Sequence, residues 1–181
     1  EICEFPVDYS IDWSSPFSVN NWTVELMLEC TSTNTLGMLG WSVFLGFTIS
    51  GVLLQLLGQF DRWKIIVIFL FIEIAVKYGI LFTNHFWVRC VLLFVHGLCT
   101  ISALESYILL TDIIPKNRIY MATSLFLSID FIFNMLAPTL YFLLGGKDWF
   151  KIYTVIFLIT STPLFVLIFW LPKSPRISYE K

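Results

Sequence analysis

The sequence predicts an all-α membrane protein, a bundle of about five transmembrane helices, and its composition and hydropathy pattern are the reasons. Of 181 residues, 57% are hydrophobic and only 13% are charged. A soluble domain averages about 45–50% apolar and about 25% charged residues. The apolar residues form long runs separated by short polar breaks. Runs of about 20 apolar residues span the hydrocarbon as helices, because backbone groups in lipid must be hydrogen-bonded within the segment.

The predicted elements run from a polar N-terminal loop through the apolar spans to a polar tail. Residues 1–38 form an extracytoplasmic loop with six acidic residues and no Lys or Arg. Residues 172–181 form a cytoplasmic tail or the start of a central loop. Each break carries charged or turn-forming residues, which end a span because charge is costly in lipid. Five spans are predicted, at Leu39–Phe60, Lys64–Phe82, Phe86–Thr111, Tyr120–Leu144 and Trp149–Leu171.

The placement of Lys and Arg predicts the orientation of the chain. With the N-terminal loop on one side, seven basic residues fall on the opposite side and three on the same side. Cytoplasmic loops retain basic residues, so the N-terminal loop is expected outside and the tail in the cytoplasm. Asn21 heads an Asn-Trp-Thr sequon, a glycosylation candidate on that outer side. The plasma membrane is the expected location, with an organelle membrane of the same topology as the alternative.

Charge, cysteine spacing and motif content exclude several classes of function. A net charge of −2 gives no basic surface for a nucleic-acid partner. The four cysteines have no Cys-x-x-Cys spacing and no paired histidines, so no metal and no cofactor are expected. Nucleophile-elbow, zinc-protease and phosphate-loop motifs do not occur in the sequence, and we do not expect an enzyme. Cys90 and Cys99 lie in apolar runs and are expected to be buried hydrophobes.

Ionisable side chains inside the spans are the first candidates for function. A mid-span charge costs about 2.5–3.5 kcal/mol and normally faces protein or a water-filled cavity. Glu73 and Lys77 are four residues apart, on one helix face, and are expected to form a local ion pair. Two carboxyl groups without a local basic partner, a nearby amide and a histidine are the candidates for binding substrate: Glu105, Asp130, Asn134 and His96.

These candidates have alternative interpretations that the sequence leaves open. The carboxyl groups could form hydrogen bonds across helices, or pair with basic residues outside this chain. His96 could be a hydrogen-bonded core histidine. Small residues of the first span (Ser42, Gly46, Ser50 and Gly51) are expected to permit close helix contact rather than to bind a ligand.

Four sequence motifs resemble those of one transporter family. The outer loop ends in Val24-Glu25-Leu26-Met27-Leu28-Glu29-Cys30, and Asp61-Arg62 follows the first span. Tyr107-Ile108-Leu109-Leu110-Thr111-Asp112 ends the third span, and Pro172-Lys173-Ser174-Pro175-Arg176 follows the last. In this order and spacing they are similar to motifs of the organic cation, organic anion and carnitine transporters of the major facilitator superfamily.

The resemblance implies a fold and a function. The five spans would be family helices 2 to 6, so the chain would be part of the N-terminal half of a carrier for a small organic ion. Its partners would be the lipid bilayer and the remaining half of the transporter. The resemblance also implies a gating cluster of charges at the cytoplasmic helix ends, the alternative being that these charges only set topology. The members of this cluster would be Asp61, Arg62, Lys64, Asp112, Arg118 and Arg176.

Departures from the family pattern support a second hypothesis. Leu93 occupies the position of a family arginine, Lys64 follows Trp63 directly without the second glycine of the loop, and Lys173 replaces an acid. These changes suggest a transporter-derived subunit that does not transport and serves as a structural part of a larger membrane complex. Its partners would then be other membrane subunits.

Overall fold

The computed structural model describes residues 12, 14–15, 21–58, 60–143, 153–154 and 156, and this part of the chain is all-helical. The all-α fold class is therefore confirmed for the described residues. A short 3₁₀ turn at Lys116–Arg118 precedes the last helix. The α-helices, in chain order, are α1 (Trp22–Glu25), α2 (Thr33–Leu57), α3 (Arg62–Phe82), α4 (Phe86–Leu98), α5 (Thr100–Ile113) and α6 (Ile119–Leu143).

Three helices are long and apolar enough to cross a membrane: α2, α3, and α4 together with α5 as the single stretch Phe86–Ile113. They coincide with the first three predicted spans, and α6 coincides with the fourth. The fifth predicted span, Trp149–Leu171, lies outside the described residues except at 153–154 and 156.

The helix ends follow from local capping chemistry. α2 begins at Thr33, earlier than the predicted Leu39, because the Ser32 hydroxyl accepts a hydrogen bond from the Thr35 amide at 3.3 Å. Asp61 caps α3 in the same way, since its Oδ1 accepts from the Trp63 amide at 3.2 Å. α5 ends where Ile114 turns extended, the conformation that a following proline, Pro115, imposes.

The stretch Phe86–Ile113 is interrupted once, at Cys99, which separates α4 from α5. The amide of Ser102 bonds to the Cys99 carbonyl at 3.0 Å, a 3₁₀-type contact that tightens the turn. Hydroxyl groups supply further bonds: Thr100 Oγ1 donates to the Gly97 carbonyl and Ser102 Oγ to the Cys99 carbonyl, both at 2.8 Å. Ser and Thr side chains satisfy interrupted backbone in this way inside membranes.

The helices pack through small residues and a compact apolar core. α2 packs most extensively against α4, and α3 packs against α4 and α5. A Cβ atom on Gly46 of α2 would lie 2.1 Å from the Phe94 carbonyl oxygen, and one on Gly97 would lie 2.2 Å from that of Val43. The two backbones therefore touch, as expected for Gly46. Gly51 differs from that expectation, since an added Cβ there meets no described atom within 4 Å.

The outer surface of the described helices is apolar. Phe44 is 70% exposed, and large apolar side chains of α2, α3, α4 and α6 are exposed along the helices, among them Phe71, Trp87, Val91 and Phe131. Charged and hydroxyl side chains are buried instead, at Arg89, Glu105 and Ser50. Water-soluble proteins rarely expose contiguous apolar surface on this scale.

Candidate functional site

Charged side chains of the described helices gather in three clusters along α3. We name them by one residue each: the Arg62 cluster (Arg62, Glu105, Asp112), the Glu73 cluster (Glu73, Lys77, His96, Ser102) and the Arg89 cluster (Trp22, Glu25, Arg89). With a helical rise of about 1.5 Å per residue, Glu73 lies about 16 Å along the axis from Arg62. The clusters thus occupy one end, the middle and the other end of the bundle.

The Arg62 cluster joins the beginning of α3 to the end of α5. Arg62 Nη1 donates a hydrogen bond to Asp112 Oδ2, and Arg62 Nε lies 3.7 Å from Glu105 Oε2. A cation at a helix N-terminus and an anion at a C-terminus are each disfavoured by the helix dipole. The pairing of Arg62 with Asp112 offsets both effects, and the same guanidinium is also the cation nearest to Glu105, which is only 2% exposed.

The structure brings together only part of the predicted gating cluster. Arg62 and Asp112 are in contact, whereas Asp61 caps α3. Lys64 and Arg118 are exposed, and Arg176 lies outside the described residues. Glu105, expected as a substrate-binding candidate, sits with this pair, so its basic neighbour comes from another helix rather than from nearby sequence.

The Glu73 cluster lies midway along α3. Lys77 Nζ is 2.6 Å from Glu73 Oε1, which confirms the predicted ion pair between residues four apart. Ser102 Oγ of α5, which donates its proton to the Cys99 carbonyl, also lies 3.5 Å from Glu73 Oε2. His96 of α4 lies close enough for Glu73 and Lys77 to act on it electrostatically. The cluster therefore joins three helices.

The remaining substrate-binding candidates do not meet in one described site. His96 belongs to the Glu73 cluster and Glu105 to the Arg62 cluster. Asp130 and Asn134 lie on α6, but their side chains lie outside the described part of the structure.

The Arg89 cluster is a buried polar contact that the sequence did not indicate. Arg89 of α4 is fully buried, and its Nη2 and Nη1 lie 3.1 and 3.4 Å from the two carboxylate oxygens of Glu25. Nη2 also donates to the carbonyl of Thr83, and the guanidinium lies 5.0 Å from the centroid of the Trp22 ring. In the sequence, Arg89 is one of the three basic residues on the side of the N-terminal loop, and it lies inside the predicted span Phe86–Thr111, one turn from its start.

Helix α1 presents the partners of Arg89. Asn21 caps α1, its Oδ1 accepting hydrogen bonds from the Thr23 and Val24 amides at 3.0 and 3.3 Å. The cap fixes the turn from which Trp22 and Glu25 reach Arg89. Asn21 itself is exposed, as its predicted glycosylation requires.

The cysteines divide into two kinds. Cys30 is disulfide-bonded, a feature that spacing did not indicate. Cys90 and Cys99 are free and buried, as expected of cysteines in apolar runs. Among the described residues, no group of three His, Cys, Asp or Glu side chains is arranged to hold a metal ion.

The carboxyl group of Asp12, in the described part of the N-terminal loop, has a shifted pKa. Ser14 donates to Asp12 Oδ1 from its hydroxyl at 2.6 Å and from its amide at 2.9 Å. These bonds stabilise the carboxylate and lower the pKa of Asp12 below its usual value.

Comparison of the chain with protein-family models, curated proteins and solved structures finds no match. The class of protein defined by the described residues is therefore a helical bundle with three segments able to cross a membrane and ion pairs inside.

Proposed function

We propose that this chain is a multi-pass membrane protein and forms part of the N-terminal half of a facilitator-type carrier, which moves a small organic ion by alternating access. The apolar exterior and the three long apolar helices support the membrane location. The order and spacing of the four motifs support the carrier class. Carriers of this kind bind substrate near mid-membrane and open to each side in turn.

The observation that carries the proposal is the contact between Arg62 and Asp112. Two motifs 50 positions apart, Asp61-Arg62 and Thr111-Asp112, meet at one end of the bundle. Ion pairs between helix ends hold that end closed in a two-state carrier, and they break when it opens. Glu105 adds a buried carboxylate to the same group.

Glu105 and His96 remain the described candidates for contact with substrate. The buried carboxylate of Glu105 would attract an organic cation. The bound cation would compete with Arg62 for this carboxylate, and Arg62 would remain paired with Asp112. Asp130 and Asn134 on α6 complete the set of candidates. We place the carrier in the plasma membrane, with its N-terminal loop outside and glycosylated at Asn21.

One observation favours a second function, a structural subunit that does not transport. Each of the three clusters contains an ion pair within the bundle, at Arg89–Glu25, Lys77–Glu73 and Arg62–Glu105. Internally paired charges suit a rigid component of a larger membrane complex. The departures at Leu93, Trp63 and Lys173 point the same way.

Uptake by the protein, purified from its native membrane and reconstituted in vesicles, separates the two functions. The probes are a radiolabelled quaternary ammonium compound and a radiolabelled aromatic carboxylate. For a carrier we expect saturable uptake of one probe, reduced about tenfold or more in Glu105→Gln, because a charge contact is lost. Lys116→Gln, which removes an exposed charge just beyond α5 that belongs to no proposed site, is the control and is expected to retain uptake.

The opposite result supports the structural subunit. Absence of saturable uptake of both probes, together with stoichiometric co-purification in a membrane complex, would contradict the carrier proposal.

A further inference from the structure

The middle of the bundle holds the Glu73 cluster, of which the proposed function uses only His96, as a candidate for contact with substrate. Cys99, where α4 passes into α5, is at the midpoint of the 28-residue stretch Phe86–Ile113. Glu73 is near the midpoint of α3. His96 lies one turn before Cys99 on α4, and the Glu73 and Lys77 side chains of α3 are near enough to act on its imidazole electrostatically. Interrupted helices with polar groups at mid-membrane commonly form ion sites.

The imidazole of His96 has an available proton-binding atom. Its Nδ1 is buried and has no hydrogen-bond partner among the residues that the structure describes. Buried polar atoms are almost always paired, so an unpaired ring nitrogen needs a physical explanation. A nitrogen that binds a proton reversibly provides one.

The carboxylate of Glu73 can accept a further hydrogen bond, such as one donated by the N–H of a protonated His96. Its Oε1 is bonded to Lys77 at 2.6 Å, whereas for its Oε2 the described residues supply only the 3.5 Å contact with Ser102 Oγ. An ionised carboxylate has about four lone-pair sites, so this one is under-used. An imidazolium N–H of His96 is therefore compatible with the ion pair already present.

We propose that His96, facing the Glu73–Lys77 ion pair, is a site that binds and releases one proton inside the bundle. The proton comes from water and joins the lone pair of Nδ1. The imidazolium then interacts with the carboxylate of Glu73, and the charge of the cluster changes from zero to plus one. Release returns the proton to water, so no other reactant is needed.

The titratable groups on the elements around His96 are consistent with a proton site at its imidazole. α2 has no titratable residue over Thr33–Leu57. α3 contributes Glu73 and Lys77, and the Cys99 thiol lies at the junction with α5. Tyr153 acts electrostatically on Glu73 from the C-terminal part of the chain. Farther along α5, Glu105 is engaged by Arg62.

A metal ion fits the same groups poorly. The ammonium of Lys77 is in contact with the carboxylate that would have to bind the metal, and like charges repel strongly in a low-dielectric interior. A proton on the imidazole of His96 instead adds a single positive charge beside the negatively charged carboxylate of Glu73. This site is independent of which substrate, if any, the protein transports.

The test is a titration of the histidine side chains by ¹⁵N nuclear magnetic resonance, with the whole protein in lipid nanodiscs. The chain has only two histidines, and His85→Asn leaves the signal of His96 alone. We expect the ring-nitrogen shifts of His96 to report one protonation between about pH 4 and about pH 9.

Charge variants then test whether the ion pair sets the proton affinity. Glu73→Gln is expected to lower the proton affinity of His96 about tenfold or more, because it removes the neighbouring anion. Lys77→Met is expected to raise it by a similar factor, because it removes the neighbouring cation. Lys64→Met removes the same charge from the exposed beginning of α3 and is expected to leave the titration unchanged.

Two results would overturn the proposal. One is a His96 signal that does not change over this pH range in the native protein. This measurement does not depend on whether any variant folds. The other is a titration that Glu73→Gln and Lys77→Met leave where it is, or move in the same direction.

Discussion

Arg89 and Glu25 show how one pair of residues attaches the N-terminal loop to the bundle. The guanidinium has no exposed surface, and the carboxylate, the backbone of the α3–α4 connection and the Trp22 ring surround it. Removing one member of a buried ion pair leaves the other uncompensated, which costs more than the pair contributes. The two residues should therefore respond to mutation as a unit.

We predict that Glu25→Ala destabilises the protein by about 3 kcal/mol, because it leaves a buried cation without its carboxylate. The measurement is unfolding by denaturing detergent, followed in mixed micelles. The double variant Glu25→Ala with Arg89→Met is expected to recover part of the loss, since the unpaired charge is then gone. Additive losses in the double variant would contradict the interpretation.

Met27 is a second residue whose substitution has a clear expected result. Its φ of 52° is in the left-handed region, and it ends α1 with a Leu28 amide bond to the Thr23 carbonyl at 2.8 Å. Glycine is the usual residue here, because a side chain costs about 1–2 kcal/mol in this conformation.

We predict that Met27→Gly slows amide hydrogen exchange at Leu28 by about fivefold, equivalent to about 1 kcal/mol. The Met27 side chain is 85% exposed, so little packing is lost. Met27→Ala retains the backbone strain and should leave the exchange rate nearly unchanged. Equal protection in the two variants would show that φ is not the cause.

Residue contacts were predictable only where the partners are close in sequence. Glu73 and Lys77 are one turn apart, so helical spacing alone identifies their ion pair. For Arg62 and Asp112, which are 50 positions apart, only the resemblance to the transporter family predicted that they belong to one cluster. Glu25 and Arg89 are 64 positions apart, with no spacing rule to join them, and their contact depends on how α1 folds back.

At the scale of elements, the contact between α2 and α4 depends on the absence of two side chains. The Gly46 and Gly97 backbones approach within the distance that a Cβ atom would occupy. Close approach through small residues drives helix association where lipid removes the hydrophobic contribution. The Ser50 and Thr100 hydroxyls, 2.9 Å apart, extend the same contact.

We predict that Gly46→Ala destabilises the protein by about 1–3 kcal/mol, because the added methyl group meets a backbone carbonyl that cannot move aside. Gly51→Ala is the matched control, five residues along the same helix in open space, and should change stability little. Detergent unfolding of both variants gives the comparison. Similar losses in both would mean that helix contact is not the cause.

The positions of the helices were predictable from hydropathy, but their details were not. The apolar runs indicated where α2, α3 and α6 lie, since length and composition alone decide whether a segment suits lipid. The start at Thr33 depends on a single capping hydroxyl. The interruption at Cys99 has no proline to indicate it, and it rests on hydroxyl bonds that only the folded chain reveals.

At the scale of the whole molecule, the number of apolar helices predicts on which side of a membrane each connecting segment lies. Between Met27 and Lys116 the chain contains three segments able to cross a membrane. In the proposed multi-pass protein, three crossings would place the two residues on opposite faces of the membrane.

We predict that Met27→Cys reacts with a membrane-impermeant maleimide in intact cells, and that Lys116→Cys reacts only after the membrane is permeabilised. Both positions are exposed. Cys30 is disulfide-bonded and Cys90 and Cys99 are buried, so the unsubstituted protein is the control for background labelling. Labelling of both cysteines from the same face would contradict the proposed topology.

The interruption at Cys99 has a mechanical consequence for such a molecule. α2 and α4 touch through their backbones, so they must move together, and Arg89 ties them to the N-terminal loop. Only a 3₁₀-type turn separates α5 from that unit. If the ion pair between Arg62 and Asp112 breaks, as the proposed transport cycle requires, we expect bending at Cys99, with α5 tilting while the opposite end of the bundle keeps its shape.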